Sequence, residues 1–220
     1  MTIYKNRQEA GRQLALSLQN YKVNQPVILA MPRGGVVVAY EVANILDAPL
    51  DIIVARKLGA PDQPEYAIGA IAPGNILVKN NEASYYWESN TQNLEDIIKN
   101  ENEEMQRRIK LYRGKNATLS LREKVVIIID DGVATGQSAI AAIRSVRKQN
   151  PLKIIFAVPV GAKDSITKIN KEVDEVICLS TPEPFIAVGI WYSDFKQTSD
   201  DEVISLLEKN RALLKAKLIA

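Results

Sequence analysis

The chain of 220 residues has no histidine and a single cysteine. The first absence excludes histidine triads, histidine general bases and histidine metal sites. The second excludes an internal disulfide and a thiolate zinc cluster. Cys178 lies in the apolar run Val176-Ile177-Cys178-Leu179 and reads as a small core residue. There is no signal-peptide pattern and no apolar run of membrane length, so a reducing cytoplasm is the expected home and no membrane partner is expected. Internal repeats and low-complexity segments are also missing. The net charge is only +2, with acids and bases well mixed. That is not the footprint of a nucleic-acid binder. A chain of this length fits one α/β domain with an ample core.

The most informative stretch present covers residues 124–148, KVVIIIDDGVATGQSAIAAIRSVRK. It reads as strand, loop, helix. Residues 125–129 are an unbroken apolar, β-branched run, as in a strand buried on both faces of a parallel sheet. Asp130 and Asp131 stand at its carboxyl end. Gly132, Val133, Ala134, Thr135, Gly136, Gln137 and Ser138 then form a small-residue loop. Ile140, Ile143 and Val146 recur at helical spacing after it.

Such a loop suits a phosphate. Glycines let backbone N–H groups turn inward, and the next helix presents its positive N-terminus. Thr135 and Ser138 add hydroxyl donors. The two carboxylates would repel a phosphate; they suit sugar hydroxyls or a metal beside it. A ligand with a phosphate at one end and a vicinal diol next to it satisfies both halves. Other motifs fail on their letters. A Walker loop needs Gly-Lys-Ser/Thr, and this loop has no lysine. A dinucleotide fingerprint needs G-x-G-x-x-G, and only Gly132 and Gly136 are present. A D-x-D phosphatase needs Asp where Gly132 stands. A plain capped turn needs one Asp, and two adjacent acids behind five apolar residues invite repulsion and desolvation.

Apolar run, Asp-Asp, three small residues, Thr-Gly and Gln-Ser together resemble the phosphoribosyl-pyrophosphate (PRPP) loop of type I phosphoribosyltransferases. The resemblance implies that Asp130 and Asp131 hold the ribose 2′- and 3′-hydroxyls, and that residues 132–138 wrap the 5′-phosphate. It extends to a second strand–loop–helix unit. Residues 26–31 read as a buried strand, followed by Pro32-Arg33-Gly34-Gly35 and a helix over about 36–46. Glycines there allow unusual backbone angles, and Arg33 brings a forked cation suited to phosphate oxygens. The family's pyrophosphate loop follows its first core strand in this way and often carries a strained cis peptide, so the resemblance implies backbone strain near Pro32-Arg33.

The rest of the chain fits the same frame. Asn6 and Glu9 start a helix over 6–20, with Ala10, Leu14 and Leu18 on a narrow apolar face. Residues 50–55 read as a strand leading to Arg56 and Lys57. Residues 67–71 and 76–78 are expected to pair around Ala72-Pro73-Gly74-Asn75 as a mobile hairpin over the site; the resemblance assigns such a loop to closure over PRPP and implies that Arg56 and Lys57 lie near the pyrophosphate. Residues 91–113 are expected to be a charged helix packing one edge on the core or on a second subunit. Strands at 153–159 and 175–179 flank a short helix at 163–172. Ser199 and Glu202 cap a last helix. Trp191 and Tyr192 either stack on a planar base as an acceptor pocket, with Asp194 reading its edge, or belong to a core aromatic set under the last helix.

The fold expected is α/β: a Rossmann-like, mostly parallel sheet with helices on both faces, the type I phosphoribosyltransferase fold. The core spans about 21–180, the flexible loop about 56–80 and a small hood about 180–220, all in one domain. The strands' carboxyl ends should gather loops 32–35, 56–66, 131–138 and 159–162 into one crevice. The segments PRGG, ARKLGAP, AIGA, DDGVATG, TPEPF and WYSDF together resemble a bacterial-type subgroup whose acceptor is undefined. The implied activity is Mg²⁺-dependent transfer of the phosphoribosyl group to a nucleobase-like small molecule, with pyrophosphate released. The implied catalytic residues are Arg33, Asp130 and Asp131, with Mg²⁺ held mainly by substrate oxygens. A homodimer is consistent with the family. Two rivals are a PRPP-sensing regulator without catalysis and a metal-dependent phosphosugar phosphatase or hydrolase.

Overall fold

The computed structural model describes residues 4–89 and 91–219. Five strands form a parallel sheet: β1 (Val27–Ala30), β2 (Leu50–Ile52), β6 (Val125–Ile129), β7 (Lys153–Val160) and β8 (Glu175–Ser180). Their order across the sheet is β2-β1-β6-β7-β8. The remaining three, β3 (Arg56–Gly59), β4 (Ala67–Ala72) and β5 (Ile76–Lys79), make a separate antiparallel sheet.

Side-chain alternation explains why the central strands are apolar throughout. Ile127, Ile129, Ile155 and Ala157 join one core layer. It is closed by α1 (Arg7–Leu18), α2 (Gly34–Leu46) and α7 (Asp200–Ile219), together with Met105 and Tyr112 of α4 (Thr91–Arg113). Val126, Ile128, Ile154, Phe156 and Val158 join the other layer, under α5 (Gln137–Arg147). A strand buried on both faces has no position left for a polar residue. A short helix, Ser84–Ser89 (α3), precedes α4, and α6 (Lys163–Ile169) joins β7 to β8.

The expected helix starts are present. Asn6 accepts from the Glu9 N–H at 2.9 Å, and Ser199 Oγ accepts from Glu202 N–H at 3.1 Å. The helix expected over 91–113 is α4, whose Glu101 interrupts the apolar stripe to meet Arg56 at 2.6 Å.

The hairpin expected over 67–78 is present: β4 and β5 pair antiparallel around residues 73–75, and β3 adds a third strand on the other edge of β4. Ala70, Ala72 and Val78 are buried in the same layer as Ile140 and Ile143 of α5, because a run such as AIGAIA needs an apolar face to cover it. The irregular part is confined to residues 60–66. The strand expected over 50–55 is shorter: Ile53, just past β2, still donates to the Ala30 carbonyl at 2.9 Å, and residues 54–55 then cross to β3.

The edge strand β2 is protected by a buried amide. Asn210 of α7, 1% exposed, accepts from Leu50 N–H at 3.0 Å and donates to the Ala48 carbonyl at 3.2 Å. An unpaired strand edge would otherwise be left behind the helix. Asn210→Ala is expected to lower unfolding stability by about 1–3 kcal/mol, the cost of stranding a buried donor and acceptor. Urea denaturation reads this directly as a lower midpoint at unchanged slope.

Candidate active site

The acidic pair closes β6 at the carboxyl end of the parallel sheet, beside β1 and β7. Asp130 Oδ1 accepts from Asp131 N–H at 2.8 Å. Burial raises the carboxyl pKa of both. For Asp130, the charge of Asp131 pushes it higher still.

The side chain of Asp131 is held by a residue that the motif does not contain. Arg7 Nε donates to Asp131 Oδ2 at 2.6 Å. Arg7 Nη1 donates to the Lys196 carbonyl at 2.7 Å, and its guanidinium lies 3.8 Å above the Phe195 ring. The sequence did carry a signal for it. Position 7 precedes Ala10, Leu14 and Leu18 at helical spacing, so a charge falls on the buried stripe of α1.

Tyr192 holds the same residue by its main chain, donating from its hydroxyl to the Asp131 carbonyl at 2.5 Å. Burial raises the Tyr192 pKa, so the phenol keeps the proton it donates. Of the two readings open for Trp191 and Tyr192, their burial matches the core one. They are 8% and 5% exposed, packed with Tyr4, Ala10 and Val160. Large aromatic rings bury more apolar area in the hood than they could on its surface. Asp194 is exposed and lines a cleft of about 260 Å³ with Asn6, Gln8, Gln197 and Thr198.

The loop after the acids is pinned at its middle. Val133 N–H donates to the Val160 carbonyl at 3.0 Å, and Ala162 N–H donates to the Val133 carbonyl at 2.8 Å. Ser165 Oγ donates to the Ala134 carbonyl at 2.6 Å. Ala134 and Thr135 stay exposed, while Gly136 takes φ 78° as the N-cap of α5. That left-handed turn aims the first amides of α5 outward without a Cβ in the way. Gln137 and Ser138 begin the helix.

Gly34 and Gly35 are not a loop with unusual angles. They are the first two residues of α2, and neither has positive φ. Their requirement is space. A Cβ on Gly34 would lie 1.9 Å from Asp131 Oδ2 and 2.7 Å from Arg7 Nε; one on Gly35 would lie 2.9 Å from the Asp130 Cα. The helix start is thus pressed against the acidic pair. The peptide joining Pro32 to Arg33 is cis. Arg33 is the N-cap of α2, and its Nη1 lies 3.7 Å from Asp200 Oδ1.

Residues 31–35, 130–138 and 161–162, loop segments and helix starts together, therefore meet at one end of the sheet. Arg56 and Lys57 are directed elsewhere: Arg56 pairs with Glu101, and Lys57 donates to the Glu65 carbonyl. Cys178 is partly buried on β8. Burial pushes its thiol up to about 11, which suits an unreactive packing role. Among the described residues no group of three or more His, Cys, Asp or Glu side chains converges, and no helix is long and apolar enough to cross a membrane.

A parallel α/β sheet with an acidic pair and a small-residue loop opening a helix defines a class, and comparison with known proteins names it. The phosphoribosyl transferase domain model matches residues 2–193, and the chain belongs to that family. Two curated Mycobacterium tuberculosis proteins, from strains H37Rv and CDC 1551 and provisionally named phosphoribosyl transferase, are each 41% identical over 209 residues. The match takes in 95% of this chain and 47% of theirs, so the chain spans about half the length of the curated relatives it matches. The crystal structure of TT1426 from Thermus thermophilus is 36% identical with a TM-score of 0.78, covering 95% of this chain and 99% of that one. The Aquifex aeolicus protein AQ2163 shares the fold alone, at 12% identity and a TM-score of 0.50 over 80% of this chain and 73% of its own.

Proposed function

We propose that the chain transfers the 5-phosphoribosyl group of PRPP to a nitrogenous base, releasing pyrophosphate in a Mg²⁺-dependent reaction. The observation that carries this reading is the Asp130–Asp131 pair at the end of β6, directly before the open N-terminus of α5. A phosphate and a neighbouring diol are the chemistry those two features suit together.

The amides and hydroxyls of residues 132–138 bind the 5′-phosphate at the positive end of α5. Asp130 and Asp131 accept from the ribose hydroxyls. Their negative charge favours a transition state in which positive charge builds on the sugar as pyrophosphate leaves. Gly34 and Gly35 offer a second helix start for the pyrophosphate, with Arg33 offsetting the charge on the leaving group. Arg56 and Lys57 can assist there only after releasing Glu101 and the Glu65 carbonyl. Asp194 is the one member of the expected acceptor set that remains accessible to a base.

The donor set fits a Mg²⁺ ion carried by substrate oxygens. Two carboxylates fall short of a six-oxygen shell, and substrate phosphates commonly supply the rest. Bound there, Mg²⁺ would neutralise charge developing on the pyrophosphate. The surrounding residues position PRPP and exclude water.

The test is pyrophosphate release from PRPP, with and without Mg²⁺, against a panel of purine, pyrimidine and nicotinate-type acceptors. Base-dependent release supports transfer. Phosphate or pyrophosphate release that needs no acceptor would replace transfer with hydrolysis.

A further inference from the structure

We infer that Arg7 is a positioning residue for Asp131, fixing the carboxylate that grips the ribose; the claim rests on the phosphoribosyl transfer proposed above. Arg7 is the first residue of α1, and Asp131, 124 positions later, lies in the loop just after β6. Nothing in local helix stability explains a cation there. A positive charge in the first turn opposes the helix dipole. Arg7 is also 9% exposed, so it has lost most of its hydration. Both costs are offset by what it meets: a carboxylate on one edge, a carbonyl on another, an aromatic ring across its face.

Those three contacts fix the guanidinium in one plane, where a lysine ammonium would not be fixed. The fixed fork in turn dictates where Asp131 Oδ2 lies. Gly34 leaves room for both groups, since any side chain there would displace one or the other. The groups facing Asp131 are Asp130 on its own loop, Arg7 from α1, and Tyr192 from the hood, whose hydroxyl sets the main chain of the same residue. Asp131 is thus held at two points by elements outside the motif. The remaining freedom of its carboxylate is what the ribose meets.

The full chain is assayed for base-dependent pyrophosphate release and for PRPP binding with Mg²⁺, as wild type, Arg7→Met and Arg7→Lys. Arg7→Met keeps volume and removes both charge and fork. It is expected to lower kcat about ten- to hundredfold, as for a lost charge-assisted hydrogen bond. The PRPP dissociation constant should move less, because the 5′-phosphate contacts are untouched. Arg7→Lys should recover part of kcat. A generic packing defect would not produce that split or that rescue. Should Arg7→Met fail to fold by circular dichroism, Phe195→Leu replaces it: this removes only the ring beneath the guanidinium, and a several-fold fall in kcat is expected. Wild-type kcat in a folded Arg7→Met, or in Phe195→Leu where that variant stands in, overturns the positioning role alone. A wild-type chain that neither binds nor turns over PRPP overturns the functional reading, and the positioning role with it.

Discussion

Asp131→Asn should lower turnover about a hundredfold or more while leaving the protein folded. Asparagine keeps the shape and can still bond a ribose hydroxyl, but it carries no charge. A unit charge about 4 Å from developing positive charge is worth roughly 4 kcal/mol at an effective dielectric of about 20. Each 1.4 kcal/mol or so of barrier is about tenfold in rate. Even half of the electrostatic term therefore gives a large loss in kcat. Asp130→Asn should lose turnover as well, yet the free protein should become more stable. Burial and the charge of Asp131 raise the Asp130 pKa well above the usual carboxylate range. A raised carboxyl pKa means that the folded state binds the proton more tightly than the unfolded chain. Stability from this group therefore falls as pH rises from the unfolded pKa through the folded one, and the ionised form is a burden at neutral pH. Thermal unfolding at pH 7 should show a higher midpoint for Asp130→Asn, and the wild type should gain on it as pH is lowered through the Asp130 titration. An unchanged midpoint, with unchanged pH dependence, would mean that the carboxylate is not strained by its surroundings.

Gly34→Ala is the second large effect expected. A methyl group at that position would sit 1.9 Å from Asp131 Oδ2 and 2.7 Å from Arg7 Nε. No real Cβ tolerates such contacts, so the Arg7–Asp131 pair must separate or α2 must move. Separating the pair leaves a mostly buried carboxylate beside a second one, a change that costs about 3–5 kcal/mol when a buried pair is broken outright. Moving the helix costs about 1–3 kcal/mol, as for other overpacked sites. Either way PRPP-dependent turnover should fall by at least about tenfold. For a chain of this size each kcal/mol corresponds to roughly 2–4 °C in Tm, so the melt should drop visibly as well. A variant with wild-type kcat and an unshifted melt would show that the close approach at Gly34 is not needed. The glycine requirement here is one of space, since neither Gly34 nor Gly35 has positive φ. Gly136, with φ 78°, is the contrasting case, where a side chain is resisted by backbone conformation.

Much of this was legible in the chain because parallel strands buried on both faces leave an unmistakable trace. Residues 125–129 and 153–160 have almost no polar letter, and both proved to be central strands. The Asp-Asp loop was legible because two adjacent acids behind such a run are hard to explain by structure alone. The Arg7–Asp131 contact was not, since its partners lie far apart in sequence and only the packing of α1 on the sheet brings them together. Its trace was a charge on the buried stripe of α1, which periodicity reads as an imperfection in an amphipathic helix. Trp191 and Tyr192 stay open between two readings in the sequence for a related reason. An aromatic pair in a turn-rich segment has the same letters whether it faces a ligand or a core, and only the neighbours Tyr4, Ala10 and Val160 decide it. The hairpin within residues 56–80 was legible from its Pro73-Gly74 turn; its third strand and its packing under α5 were not, because the small apolar residues that make them carry no sign of their partner.

The most direct measurement is calorimetric titration of the wild-type chain and of Asp130→Asn/Asp131→Asn with PRPP, with and without Mg²⁺. Binding that requires Mg²⁺ in the wild type and is lost in the double variant is the predicted result. Failure of the wild type to bind PRPP under either condition, or equal binding by the double variant, would contradict the assignment of the acidic pair and its loop as the phosphoribosyl site.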